Sequence, residues 1–218
     1  MSERNARDAI VRAASLADAD AYAHLFPELA PGDPAPTLEQ IALLVPRMLM
    51  LDDNSAARGF VVAGTEGSVG FLRQLVVDPG ARRRGYGARL YTAAADRVRA
   101  EGATHLRLNV NTDNTRAIAP YRKMGMRDSF FCSVLFVTHA LRLRLPGSST
   151  PLSLVTTKES DDGQLEAQFL LTPGQLAYFR AHSIAPCIVR EIGTKTVRGL
   201  MRFVPSFPGA YPFCAQSL

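Results

Sequence analysis

Residues 75–87, LVVDPGARRRGYG, combine the residue types that hold a phosphate. An apolar β-type run, Leu75-Val76-Val77, stops at Asp78-Pro79. Arg82, Arg83 and Arg84 follow, and Gly85-Tyr86-Gly87 opens a segment of helical periodicity. Glycine lets a bare backbone come close to a ligand. The first amides of a helix have no intrahelical acceptor, and the helix dipole adds partial positive charge there. Such a corner suits a pyrophosphate, and three guanidinium groups bring fixed charge to it. The spacing Arg82-x-x-Gly85-x-Gly87 is not a P-loop, since no Gly-Lys-Ser/Thr follows. Nor is it the dinucleotide fingerprint, because Leu90 stands where a third glycine belongs. Alone, the stretch also describes a basic helix start on a solvated surface.

A second group lies in residues 106–126, LRLNVNTDNTRAIAPYRKMGM. Leu106, Leu108 and Val110 alternate as in a strand. Asn114, Ala117, Tyr121 and Gly125 then follow at helical spacing. Asn114 is a good N-cap, Ala117 is small enough for close approach, and the Tyr121 phenol can donate a proton. The two motifs, in this order and about 30 residues apart, resemble the GNAT superfamily of acyl-CoA-dependent N-acetyltransferases. The likeness is specific over residues 57–127, weaker over 8–56, and fades beyond about 145.

The resemblance implies an α/β fold with a mixed sheet, in which the strands flanking the pyrophosphate-binding helix splay apart and the pantetheine arm of acetyl-CoA lies in the wedge. Leu75, Val76 and Val77 then form the cofactor edge. The Leu75 amide polarises the acyl carbonyl, and Val77 pairs with the pantetheine. Arg82, Arg83, Arg84, Gly85, Tyr86 and Gly87 hold the pyrophosphate, with Asn114, Ala117 and Tyr121 completing the cofactor site. Tyr121 is the expected general acid to the departing thiolate. The amine attacks the thioester directly in a ternary complex, since no cysteine occupies a motif position that would suggest an acyl-enzyme. No metal is implied.

The chain departs from the family pattern twice. Pro120 lies inside the helix that carries Tyr121, where it deletes a backbone hydrogen bond. Phe71 stands where many family members carry a glutamate base, and no acidic residue lies between Gly67 and Val77. The base is therefore absent, a water chain, or supplied elsewhere. His105, His139 and His182 are candidates by chemistry, and His24 a weaker one. Asp113 reads as loop support.

These residues need elements to position them. Ala9–Ala13 reads as a first strand, and Ser15 as the cap of a helix running toward Leu29. Prolines and a glycine at 27–36 make a loop, and Thr37 with Gln40 forms a capping box for a helix through about Val45. Strand signals follow at 47–52, 58–64 and 68–77. Tyr86, Leu90, Ala94 and Val98 recur every four residues on one face of a helix ending at Gly102. Strand 105–110, helix 115–124 and a β-rich stretch at 130–145 complete a domain spanning 1–146, and Pro146-Gly147-Ser148-Ser149 is a linker signal.

Residues 151–218 read as a C-terminal β-rich extension with strand-like runs at 152–156, 165–171, 187–192 and 197–204. Thr172-Pro173-Gly174-Gln175 looks like a helix start. The order repeats the opening of the first domain, and Val197-Arg198-Gly199-Leu200-Met201 echoes Ala57-Arg58-Gly59-Phe60-Val61. A truncated second GNAT-like half is the expectation, and an unrelated β-rich extension the alternative.

Composition narrows the class. The 218 residues carry a formal net charge of +5, unevenly spread. Residues 1–79 sum to −5, 80–127 to +8 and 128–218 to +2. The basic block holds both motifs, so a phosphate-rich small molecule accounts for it. Interleaved aromatics or a recognition module for nucleic acid are lacking. No apolar run reaches the roughly 20 residues of a membrane span, and MSERNARDA has no secretory stretch. Three dispersed cysteines, Cys132, Cys187 and Cys214, fit reduced thiols in a cytoplasm. The leading expectation is an acetyl-CoA-dependent N-acetyltransferase. The alternatives are a non-catalytic CoA-binding regulatory module and a protein lysine or N-terminal acetyltransferase whose extension recognises a partner. Acceptor identity is open, as are the acyl group beyond acetyl and oligomeric state, with a homodimer admitted. An acidic first-helix region (Glu28, Asp33, Glu39) favours a cationic amine.

Overall fold

The computed structural model describes residues 9–129, 147, 150–181, 186–203 and 210–215. The strand expected at 130–145, Cys132, His139 and His182 lie outside them. Two compact units emerge, Met1–Met126 and Arg127–Leu218.

The first unit is a five-stranded sheet in the order β1-β2-β3-β4-β5, formed by Ile10–Ala13, Met48–Asp53, Ala56–Glu66, Val69–Val77 and His105–Leu108. β1 to β4 pair antiparallel, and β5 joins β4 in parallel. Helices α1 (Ala19–Leu25) and α2 (Leu38–Leu44) cover one face, while α3 (Tyr86–Ala100) packs on the other. Helix α4 (Thr115–Lys123) follows β5. The α2 start is the expected box: Gln40 N–H donates to Thr37 Oγ1 at 3.3 Å, and Thr37 N–H to Gln40 Oε1 at 2.8 Å.

The two faces hold separate cores. Leu90, Ala94 and Val98 of α3 press on Val61, Ala63 and Leu72. On the other face Tyr22, Leu25 and Ile41 close over Met50, Phe60 and Val76. The rings of Tyr22 and Phe60 lie 4.7 Å apart. Each such fully buried side chain contributes roughly 1.5–3 kcal/mol.

The second unit is a four-stranded antiparallel sheet, β6-β7-β8-β9, from Leu152–Thr156, Cys187–Glu191, Val197–Phe203 and Ala210–Ala215. β9 has no counterpart in the sequence expectation. The run at 165–171 is not a strand: helix α5 covers Asp162–Gln168. Leu165 and Phe169 are four residues apart, a helical rather than alternating spacing, and both join one core cluster. Buried Glu166 accepts from the Gly174 and Leu176 amides, both at 2.9 Å, which ties α5 to the start of α6 (Gln175–Ala181).

The two sheets share their pairing. β3 places Gly59 opposite Leu51 and Ala57 opposite Asp52, so Arg58 is bulged out. β8 places Gly199 opposite Val189 and Val197 opposite Arg190, so Arg198 is bulged out. Gly59 faces Val77 in β4, and Gly199 faces Ala215 in β9. Val11 pairs Leu51, and Leu154 pairs Val189. Thr172 N–H donates to Gln175 Oε1 at 3.1 Å, as Thr37 does to Gln40.

Candidate active site

β4 creates the site by outrunning β5. The parallel pairing covers only Val69–Leu72, matched to His105–Leu108. Beyond Leu72, Arg73 is bulged, since Val62 opposes Gln74 and Ala63 opposes Leu72. Leu75–Val77 thus pair with β3 and face no β5 residue. Backbone groups alternate sides along a strand. Asp78 N–H points to β3, donating to Arg58 O at 2.9 Å. Alternation turns the Val77 and Leu75 N–H groups the other way, onto the open edge. The Val77 carbonyl confirms that direction by accepting from Arg82 Nε at 3.0 Å.

Val76 does not join them. Its carbonyl lies against Gly59, where an added Cβ would sit 2.5 Å away, and its side chain is buried with Tyr22 and Phe60. Of the three residues expected on the cofactor edge, Leu75 and Val77 present backbone there and Val76 faces the sheet.

The turn after β4 is built by its own side chains. Asp78 Oδ1 accepts from Gly80 N–H at 2.7 Å, and Arg58 braces the same carboxylate at 3.2 Å. Arg83 and Gly85 both take positive φ, 65° and 80°. Gly85 is the N-cap of α3 and has no side chain to satisfy the first helical amides. Those amides therefore stay available to an anion. Gly87 has a different reason to be glycine. A Cβ there would meet only Leu75 Cδ2 and Val77 Cγ2, both at 3.9 Å, so the fold tolerates one. The bare position keeps space clear over the end of β4.

The arginines divide. Arg82 bonds the Val77 carbonyl and Glu28, which lies just past α1. Arg84 stands 3.6 Å from Asp53. Arg83 is exposed and makes no ion pair among the described residues. Tyr86 turns its side chain inward. Its side chain is 1% exposed, with the hydroxyl donating to Asp53 Oδ2 at 2.7 Å. Only its backbone amide can reach a ligand. Burial first, and the adjacent Asp53 next, push this phenol's pKa up.

Asn114 caps α4, accepting from Ala117 N–H at 3.1 Å. The helix runs through Pro120 without breaking. Ala117 and Tyr121 are half-buried. The Tyr121 ring lies 6.3 Å from that of Tyr91 on α3, so α4 presents it to the helix that starts at the phosphate corner. Burial raises the Tyr121 pKa, with Tyr91 adding to it, so the phenol keeps its proton across the neutral range.

Among the described residues no carboxylate lies on β4 between Val69 and Val77. Phe71 pairs with Gly64 and Arg107, and Glu66 binds Arg73. His105 opposes Val69, at the β4 end remote from Leu75, and shares a 2.9 Å hydrogen bond with Thr104. His24 lies in the last turn of α1. One polar pair escaped sequence reasoning: buried Tyr22 donates to Gln74 Oε1 at 3.1 Å. A glutamine inside an apolar strand was the available signal. Among the described residues no cluster of three His, Cys, Asp or Glu could hold a metal, and no helix is long and apolar enough to cross a membrane.

Residues 19–126 match the model of the acetyltransferase (GNAT) family. A streptothricin acetyltransferase of Streptomyces lavendulae is 32% identical over 114 residues, covering 43% of this chain and 60% of the relative. A mycothiol acetyltransferase of Clavibacter michiganensis is 35% identical over 86 residues, covering 38% of this chain and 28% of the relative. The chain thus matches less than two thirds of either relative's length. Among solved structures, an aminoglycoside N-acetyltransferase, AAC(6')-Iy, in complex with CoA shares the fold with a TM-score of 0.53 at 18% identity, over 60% of this chain and 95% of that one. The open β4 edge, the glycine-started helix and the Asn114-to-Gly125 motif all fall inside the matched residues, and over that stretch the chain belongs to the GNAT family of acetyltransferases.

Proposed function

We propose that the chain is an acetyl-CoA-dependent N-acetyltransferase whose acceptor is a molecule of net positive charge that presents a neutral primary amine to the thioester. The observation that carries this reading is the meeting of the open β4 edge with the bare start of α3. The Leu75 and Val77 amides line one side, and the Gly85–Gly87 corner closes the other. Acetyl-CoA enters as a substrate. Its pyrophosphate takes the first α3 amides and Arg83, while its pantetheine continues β4 beside Val77. Arg82 leaves the Val77 carbonyl and Glu28 to reach the pyrophosphate.

In the reaction, the neutral amine nitrogen bonds to the acetyl carbonyl carbon. The carbonyl oxygen gathers negative charge, which the Leu75 N–H stabilises. As the C–S bond breaks, the Tyr121 hydroxyl passes its proton to the CoA sulfur, and the new amide loses a proton to water. Among the described residues β4 offers no carboxylate to take that proton, which favours an amine of low pKa. Supporting the acceptor class are the acidic residues Glu28, Asp33 and Glu39 around α1 and α2, and the streptothricin acetyltransferase relative. The absent carboxylate at Phe71 favours a second reading, a CoA-binding module without turnover.

We also propose that residues 151–218 are a GNAT-like half, since their order, registers and bulge repeat those of β1 to β4. The division at 1–146 and 151–218 belongs to the same proposal. Calorimetry with CoA and a turnover assay over an amine panel test the main reading. Gly87→Glu puts bulk and negative charge at the pyrophosphate corner and is expected to abolish CoA binding. Unchanged affinity would overturn the pyrophosphate assignment. CoA binding without acetylation of any amine would select the second reading.

A further inference from the structure

The shared pairing allows position-by-position comparison of the two sheets, and one position differs in a way that opens a cleft. In the first unit Arg12 of β1, opposite Met50 of β2, bridges the sheet and the residue before α1. Its guanidinium binds Asp18 at 2.6 Å and Asp52 at 2.6 Å. The matching positions in the second unit follow from register. Val155, opposite Ile188, stands for Arg12, and Arg190, opposite Val197, stands for Asp52. Asp161, the residue before α5, stands for Asp18, the residue before α1.

The arginine that bridges two carboxylates in the first unit is thus a valine in the second, and one of its two carboxylate partners is an arginine. A cleft of about 470 Å³ remains, lined by both. Its floor is apolar, with Val155, Leu165, Ile188 and Val197. Lys158, Arg190 and Lys195 line it as well, and none of the three makes an ion pair among the described residues. The Arg190 Nε atom is shut off from solvent and has no hydrogen-bond partner among the described residues. A buried donor left in that state costs about 1–3 kcal/mol unless something accepts from it. The acid present, Asp161, accepts from the Ser160 hydroxyl.

We infer that this cleft binds a small organic anion, whose carboxylate or phosphate meets Arg190, Lys158 and Lys195 while an apolar body rests on the floor. The residues of this cleft all belong to the second unit, and the inference does not depend on the proposed reaction. Three cations around an apolar floor discriminate against neutral analogues of the same shape, because a neutral acceptor leaves three positive charges uncompensated and makes no charge-assisted hydrogen bond.

The test is titration of the full-length protein with hexanoate and phenyl phosphate, with hexanamide as the neutral control, followed by calorimetry or NMR. Saturable one-to-one binding is expected for at least one anion, weakening as salt is raised, with hexanamide silent. Arg190→Gln and Lys195→Glu should each weaken it at least tenfold. Lys195 is exposed between β7 and β8, so its variant reports on the site rather than on folding. Saturating CoA should leave the titration unchanged. Failure of both anions to saturate, equal binding in both variants, or displacement by CoA would each overturn the inference. Binding and turnover of acetyl-CoA are read in a separate experiment, so either proposal can fail alone.

Discussion

At the scale of single residues, the proposed reaction uses backbone for binding and one side chain for proton transfer. Leu75 and Val77 contribute amides, so their side-chain identities matter through packing against α3. Tyr121 contributes its hydroxyl. Tyr121→Phe keeps the ring contact with Tyr91 and removes the proton donor. We expect kcat to fall about 100- to 10,000-fold with little change in acetyl-CoA affinity, measured by steady-state kinetics beside calorimetry. A second residue-scale expectation concerns Asp18. Its hydrogen bond from Arg12 lowers its pKa from 3.8 to about 2. A folded-state value below the unfolded one stabilises the fold above pH 4, and that stability fades as pH falls toward 2. Arg12 is 40% exposed, so solvent screening reduces the effect to about 1 kcal/mol. Asp18→Asn should therefore lower the urea midpoint at pH 7, and the gap to wild type should narrow between pH 4 and pH 2.

At the scale of elements, what could be read from sequence was whatever local chemistry decides. Thr37 with Gln40 and Thr172 with Gln175 marked two helix starts, because a side chain that satisfies an orphan amide leaves a three-residue spacing. The bulges at Arg58, Arg73 and Arg198 were not legible, since they arise from pairing with a distant strand. Helix α5 was misread because Leu165, Phe169, Leu170 and Leu171 are apolar enough for a strand, and only tertiary packing chooses the helical face. Tyr86 carried two signals, a place in a glycine motif and a place in the Leu90-Ala94-Val98 stripe. The stripe decided its side chain, since core burial requires the face that α3 turns to the sheet. Helix α4 carries a mechanical prediction. Pro120 removes the bond that residue 120 would donate to the Arg116 carbonyl. Pro120→Ala should restore it and stabilise the first unit by about 1–2 kcal/mol after the looser unfolded chain is allowed for. A raised thermal midpoint would show this, and kinetics on the same variant would show whether Tyr121 needs the proline.

For the whole molecule, charge is segregated by sequence segment. The block 80–127 carries +8 and the segment before it −5. The basic block holds the anion corner, so long-range attraction should speed and strengthen CoA capture. The dissociation constant for CoA is expected to rise several-fold between 50 and 300 mM salt, read by calorimetry, as screening shortens the reach of these charges. Fold class, the open edge and the phosphate corner all lay within the part of the chain where two motifs constrain each other. The Arg190 cleft did not, because it exists only as a difference between two sheets whose equivalence appears after pairing.

That equivalence also bears on how the chain reaches its structure. β2 and β7 ask the same thing of a partner: a bulged arginine, then a glycine, then a large apolar residue. Either hairpin partner answers, so β3 can dock on β7 and β8 on β2 with the bulge and glycine in register. Such exchanged species would also bury apolar faces, and halves that fold from one chain meet at high local concentration. The non-interchangeable pairs must then sort the halves. Arg12 between Asp18 and Asp52 disfavours one further exchange, β1 docked on β7, because that sheet would set Arg12 beside Arg190 and oppose two cations. On that account the ion-pair triad of the first unit would weigh against mispaired strands as well as hold the native sheet to its first helix.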